Sequence, residues 1–150
     1  MLLARTTVNL RKTAITIVSL VALASVMNYA GMIVVIASAL ATVTGQLYPV
    51  FAPLIGAVGT FVTGSDTSSN ILFAKLQANV AHQLNYSNSN WLVAANTTGA
   101  TGGKIISPQS IAIATAACDM QGRDGEILKA AIPYAVLYIA VGGLMVLLAV

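Results

Sequence analysis

Apolar residues run almost unbroken from position 14 to 44 and then in shorter stretches at 47–63, 91–95, 105–117 and 127–150. Two polar, glycine-bearing runs interrupt this pattern. The first is Gly64-Ser65-Asp66-Thr67-Ser68-Ser69-Asn70. The second is Asn96-Thr97-Thr98-Gly99-Ala100-Thr101-Gly102-Gly103-Lys104, closing with Ser107-Pro108-Gln109-Ser110. A bilayer core of about 30 Å takes about 20 apolar residues to cross as a helix. Read as one helix, residues 14–44 would extend about 46 Å at about 1.5 Å per residue. That helix must tilt, project into water or break, and Asn28-Tyr29-Ala30-Gly31 is the expected break. Gly45 fits a C-terminal helix cap.

Residues 47–63, with Pro49 and Pro53 near the start, sit at the lower limit of a span. Residues 70–84 carry Lys75, Gln77, Asn79, His82 and Gln83, too polar a set to face lipid. The pattern therefore predicts a re-entrant hairpin over 47–84 with its tip at 64–69; two short spans enclosed by protein are the alternative. Residues 85–90 read as an uncharged turn, and Trp91 as an interfacial anchor. A span over 91–118, broken in its middle by the second polar run, follows. After a charged loop at 119–126 comes a last span over 127–150. There Pro133 lies in the first turns, where proline is tolerated, and Gly142-Gly143 suits close helix packing. The prediction is an all-α, multi-pass membrane protein forming one domain over 1–150.

Composition agrees with that class. The 150 residues are 57% hydrophobic and 7% charged, against about 25% charged in soluble domains. Arg5, Arg11 and Lys12 before an apolar run raise the question of a signal peptide. The run is far longer than the usual h-region of about 7–15 residues, and Ala39-Leu40-Ala41 comes too late for a cleavage site. Placing the N-terminal arm and the loop with Arg123 and Lys129 in the cytoplasm leaves the uncharged turns outside, as charge asymmetry requires. The net charge is +3, and no basic patch with interleaved aromatics suggests nucleic acid. Cys118 and His82 are each the sole residue of their type, which leaves no disulfide framework or metal cluster and implies no cofactor.

A polar backbone stretch at membrane depth is tolerated where it is buried in protein or lines a cavity, and broken helices of this kind mark substrate sites in transporters. Ser65, Asp66 and Thr67 are good N-caps. The helix after them would turn unpaired N–H groups and its positive end toward the tip, a site for a small anion. Ser107 as N-cap with Pro108 at the first helical position repeats the device. Gly99, Gly102 and Gly103 are expected to lie in unwound backbone near the ligand. The bland alternative is that these residues only cap helices. Intramembrane ions are functional candidates by default: Asp66 as proton carrier, cap or partner of Lys104 or Lys75, and Lys104 as the carboxylate's counter-charge or Asp66's partner. His82 reads as a solvated histidine. Asn28 and Tyr29 line a cavity or join helices. Thr98 to Ile105 only mimics a phosphate-binding loop, since its first glycine and its Ser/Thr are absent. Asn85-Tyr86-Ser87 and Asn96-Thr97-Thr98 match the glycosylation pattern weakly.

The stretches Val26-Met27-Asn28-Tyr29-Ala30-Gly31-Met32, Thr63 through Asn70, and Ala94 through Ala112 resemble the C-terminal region of the L-lactate permease family. The likeness covers nearly the whole chain from about residue 14. It implies proton-coupled import of L-lactate or a related 2-hydroxy monocarboxylate such as glycolate across the plasma (inner) membrane. Family members are several times longer. The chain is thus expected to be a C-terminal fragment, a truncated product or one piece of a split protein, with the rest of the permease or a second copy as partner. In that setting Ser65, Thr67, Ser68, Ser69, Asn70, Asn96, Thr97, Lys104, Ser107 and Gln109 are the candidate substrate-binding residues, and Asp66 the proton carrier. Two rival classes are a non-transporting membrane subunit and an intramembrane hydrolase; the latter needs a nucleophile with an activating base, and here His82 is the only histidine and no second intramembrane acid joins Asp66.

Overall fold

The computed structural model describes residues 18–19, 21–23, 25–27, 29–120 and 122–150, and no strand occurs among them. Arg5, Arg11, Lys12 and Asn28, singled out in the sequence, lie outside the described residues. Tyr29 is almost fully exposed.

Among the described residues, 18–19, 21–23, 25–27 and 29 are helical, and from Met32 on six α-helices follow one another. The first, α1 (Met32–Thr44), starts after Gly31, whose φ of 72° interrupts the chain at the expected place. Gly45 caps it at φ 52°, donating its N–H to the Ala41 carbonyl. Both positions need a left-handed backbone, which glycine adopts without steric cost. A 3₁₀ turn (Gly45–Leu47) leads into α2 (Tyr48–Thr63), where Pro49 occupies the first turn. Gly64 at φ 69° ends α2, and Ser65 starts α3 (Asp66–Gln83). The reversal thus takes two residues, shorter than the predicted tip at 64–69, because Asp66 through Ser69 already form the first turn of α3.

Next come α4 (Asn90–Ile105), α5 (Pro108–Ala117) and α6 (Asp124–Ala149). Arg123 precedes α6 and pairs with Glu126, its Nε donating to Oε1 at 3.0 Å. That is the one salt bridge among the described residues. Two helical stretches, Val34–Thr63 with 30 residues and Asp124–Ala149 with 26, are long and apolar enough to cross a membrane.

The second polar run does not unwind. Asn96 through Lys104 lie inside α4, and the chain breaks only at Ile106 and Ser107. The glycines serve helix contact instead. A Cβ on Gly99 would stand 1.7 Å from the Pro53 carbonyl oxygen, one on Gly103 2.2 Å from that of Ala57, and one on Gly56 2.0 Å from that of Asn96. Pro53 faces Gly99 and Ala57 faces Gly103, so α2 and α4 run parallel with their backbones nearly touching. Van der Waals contact of this kind, through small residues, drives helix association where no hydrophobic effect separates protein from lipid. α6 packs antiparallel on the same pair, with Ile139 over Gly102, Thr98 against Gly142 and Val50 against Gly143. A core of Tyr48, Ala52, Leu76, Val80, Leu92, Ala95 and Val146 closes the lower bundle.

Candidate functional site

The reversal between α2 and α3 is built by local chemistry. The Gly64 N–H donates to the Thr60 carbonyl at 2.7 Å. Ser65 is extended, and its Oγ accepts from the Ser68 N–H at 3.3 Å. The amides of Asp66 and Thr67 are left without an acceptor inside α3, as at any helix start. The break between α4 and α5 is built the same way. Ser107 is extended and buried, its Oγ accepts from the Ser110 N–H at 3.3 Å, and Pro108 opens α5. Both caps read from the sequence are present.

The two devices meet. Lys104 Nζ donates to the Gly64 carbonyl at 3.4 Å. The Gln109 side chain covers Gly64 so closely that an added Cβ would stand 2.1 Å from its Oε1. The starts of α3 and α5 are thereby gathered around one lysine. Asp66 pairs with neither Lys104 nor Lys75. Its Oδ1 is buried and, with Thr60 Oγ1, is one of two buried side-chain oxygens without a partner among the described residues.

The candidate residues divide into two groups. Thr67, Thr97, Lys104 and Gln109 are exposed, and Ser65, Asp66 and Asn70 half-buried. Antiparallel register sets Asn70 against Thr97 and Gly64 against Lys104, so Thr67 and Thr101 fall between them on one polar stripe. Ser68, Ser69, Asn96 and Ser107 are buried. Ser69 Oγ donates to the Gly56 carbonyl at 2.8 Å and so ties α3 to α2. Asn96 Nδ2 donates to Asn70 Oδ1 at 2.9 Å, and Thr97 Oγ1 donates to the same oxygen at 3.1 Å. His82 and Lys75 are exposed on α3. No group of three metal-binding side chains occurs among the described residues.

Sequence reading missed Tyr48, Gln77 and Thr101. Gln77 is fully buried, takes the Tyr48 hydroxyl on Oε1 at 2.8 Å, and donates through Nε2 to the Ala52 carbonyl at 3.1 Å and Asn96 Oδ1 at 3.3 Å. The available signal was its spacing, two helical turns after Asn70 and so on the same face.

A family model described as L-lactate permease matches residues 1–150. The glycolate permease GlcA of Escherichia coli (strain K12) is 45% identical over 145 residues, 97% of this chain and 26% of that protein. The L-lactate permease of the same strain is 45% identical over 124 residues, 83% of this chain and 22% of its own length. That of Bacillus subtilis (strain 168) is 42% identical over 115 residues, with coverages of 77% and 20%. The chain spans about a quarter of the length of the first two relatives. No solved structure matches it. With the whole chain matched by one family model and these three relatives each bearing a permease name, this protein belongs to the L-lactate permease family.

Proposed function

We propose that the chain supplies part of the substrate site of a secondary transporter that carries L-lactate, or a related 2-hydroxy monocarboxylate such as glycolate, together with protons. The observation that carries this reading is the meeting of the hairpin tip and the helix break around Lys104. A lysine and two helix starts concentrate positive potential where a carboxylate can be desolvated and held. Exposed hydroxyls and amides on the stripe from Gln109 through Thr67 and Thr101 to Asn70 and Thr97 provide partners for the rest of the ligand. Asp66 is the proton carrier in this scheme, being the sole acid before residue 119. The substrate passes without chemical change.

In the same reading α2 and α3 form a re-entrant hairpin in a multi-pass protein of the plasma membrane. Its support is one of levels. The Gly64 tip meets residues 104–109, near the middle of the stretch from Asn90 to Ala117. The broken span is then α4 and α5, hinged at Ile106-Ser107. The stripe is open on one side. The remainder of a full-length permease, or a second copy, closes it, and lipid covers the apolar face of α6.

The test uses the complete gene product that contains this sequence. Lys104→Ala is expected to lower uptake of labelled L-lactate roughly tenfold or more, the loss of one charge-assisted hydrogen bond to the carboxylate. Lys104→Arg should retain part of it. Uptake near normal in the alanine variant, at equal expression, would remove Lys104 from the site.

A further inference from the structure

The buried amides between α3 and α4 form a chain with a definite direction. Asparagine and glutamine oxygens and nitrogens are ordinarily interchangeable on shape alone. Here one contact decides the whole series. Gln77 Nε2 lies 3.1 Å from the Ala52 carbonyl oxygen. A backbone carbonyl only accepts, so the nitrogen of Gln77 faces it, and Oε1 faces the Tyr48 hydroxyl at 2.8 Å. The second hydrogen of Nε2 then goes to Asn96 Oδ1 at 3.3 Å. Asn96 must in turn donate through Nδ2, and it does so to Asn70 Oδ1 at 2.9 Å. Thr97 donates to the same oxygen. With its acceptor taken twice, Asn70 has only its amide hydrogens left, and they have no acceptor among the described residues.

From this geometry we infer that Gln77 is a positioning residue: it sets the polarity of Asn70, so that the amide offers N–H donors, and not an oxygen, to an acceptor oxygen of the transported 2-hydroxy acid beyond the end held at Lys104. The inference rests on the transport reading above. A half-buried donor pair suits an anion, whereas the reversed amide would set an oxygen lone pair against it. Gln77 itself is fully buried and acts only through Asn96 and Asn70.

Gln77→Glu tests the polarity with almost no change in shape. The introduced carboxyl can take the Asn96 amide but cannot donate to Asn96 and Ala52 together. Asn96 turns its nitrogen toward position 77 and its oxygen toward Asn70, and Asn70 turns its own oxygen outward. In the complete gene product, KM for L-lactate uptake is expected to rise roughly tenfold or more, with the maximal rate changed by less than about twofold. Asn70→Ala is expected to raise KM similarly. Because Gln77 works through Asn70, adding Gln77→Glu to Asn70→Ala should raise KM no further, whereas independent structural damage would multiply. Should the glutamate variant fail to reach the membrane, Gln77→Met enters the same cycle, with a smaller rise alone and none on top of Asn70→Ala. An unchanged KM in the position-77 variant, or multiplying effects in the cycle, would overturn this inference and leave the transport reading standing. Absence of uptake of any 2-hydroxy monocarboxylate by the unsubstituted protein would overturn both.

Discussion

In the complete gene product that contains this sequence, and on the transport reading proposed above, Asp66→Asn is expected to bring proton-driven accumulation of L-lactate to background while leaving exchange of lactate across the membrane measurable. Asp66 is the sole acid in the first 118 residues and opens α3 directly after the Ser65 cap. Its Oδ1 is buried and has no hydrogen-bond partner among the described residues, so one carboxylate oxygen beside the tip is uncommitted. In the re-entrant hairpin proposed above, an ionisable group at this position is a functional candidate by default. Asparagine keeps the shape, and Ser65 still caps the helix, but no proton can be exchanged. Loss of accumulation with exchange preserved separates coupling from binding. Normal accumulation against a lactate gradient in the asparagine variant, at wild-type expression, would show that the proton travels elsewhere.

Gly99→Ala is expected to be the most damaging single methyl in the chain. The added carbon would stand 1.7 Å from the Pro53 carbonyl oxygen and 2.4 Å from its carbon. Backbone cannot swing aside as a flexible side chain can, so α2 and α4 must part. Their separation would also open the contacts of Gly56 with Asn96 and of Gly103 with Ala57. Overpacking of this kind costs about 1–3 kcal/mol, and more where backbone is the obstacle. The measurement is thermal stability of the purified protein in detergent, where a large drop or loss of monodisperse protein is expected. Gly125→Ala is the control. Gly125 sits in the first turn of α6 with nothing within 4 Å of an added Cβ, so this change should be neutral or slightly stabilising. Equal stability of the two variants would mean that α2 and α4 do not pack as described.

Which features the sequence revealed follows from how far their chemistry reaches along the chain. Ser65, Ser107-Pro108, Gly31 and Gly45 were legible because a cap is settled within three or four residues. The meeting of the first and second polar runs was legible only as an expectation. It depends on Lys104 reaching Gly64, 40 residues away. The helix through Thr97 to Lys104 was misread for a specific reason. Threonine and glycine are poor helix formers, and local propensity alone favours unwinding. In the fold, α4 keeps its own hydrogen bonds while its glycines admit the carbonyls of α2, so packing overrides propensity. Gln77 was passed over because a polar residue in a polar helix carries no local mark. Its role comes from Tyr48 and Ala52 on α2 and Asn96 on α4, and none of these is near it in sequence.

A structure of the complete gene product with L-lactate bound would reveal whether the hairpin tip and the helix break jointly hold the carboxylate. The carboxylate is expected within about 3 Å of Lys104 Nζ and of the unpaired amides of Asp66 or Thr67, beside Gln109. Lactate bound away from residues 64–70 and 104–109, with that junction closed by its own side chains, would contradict it.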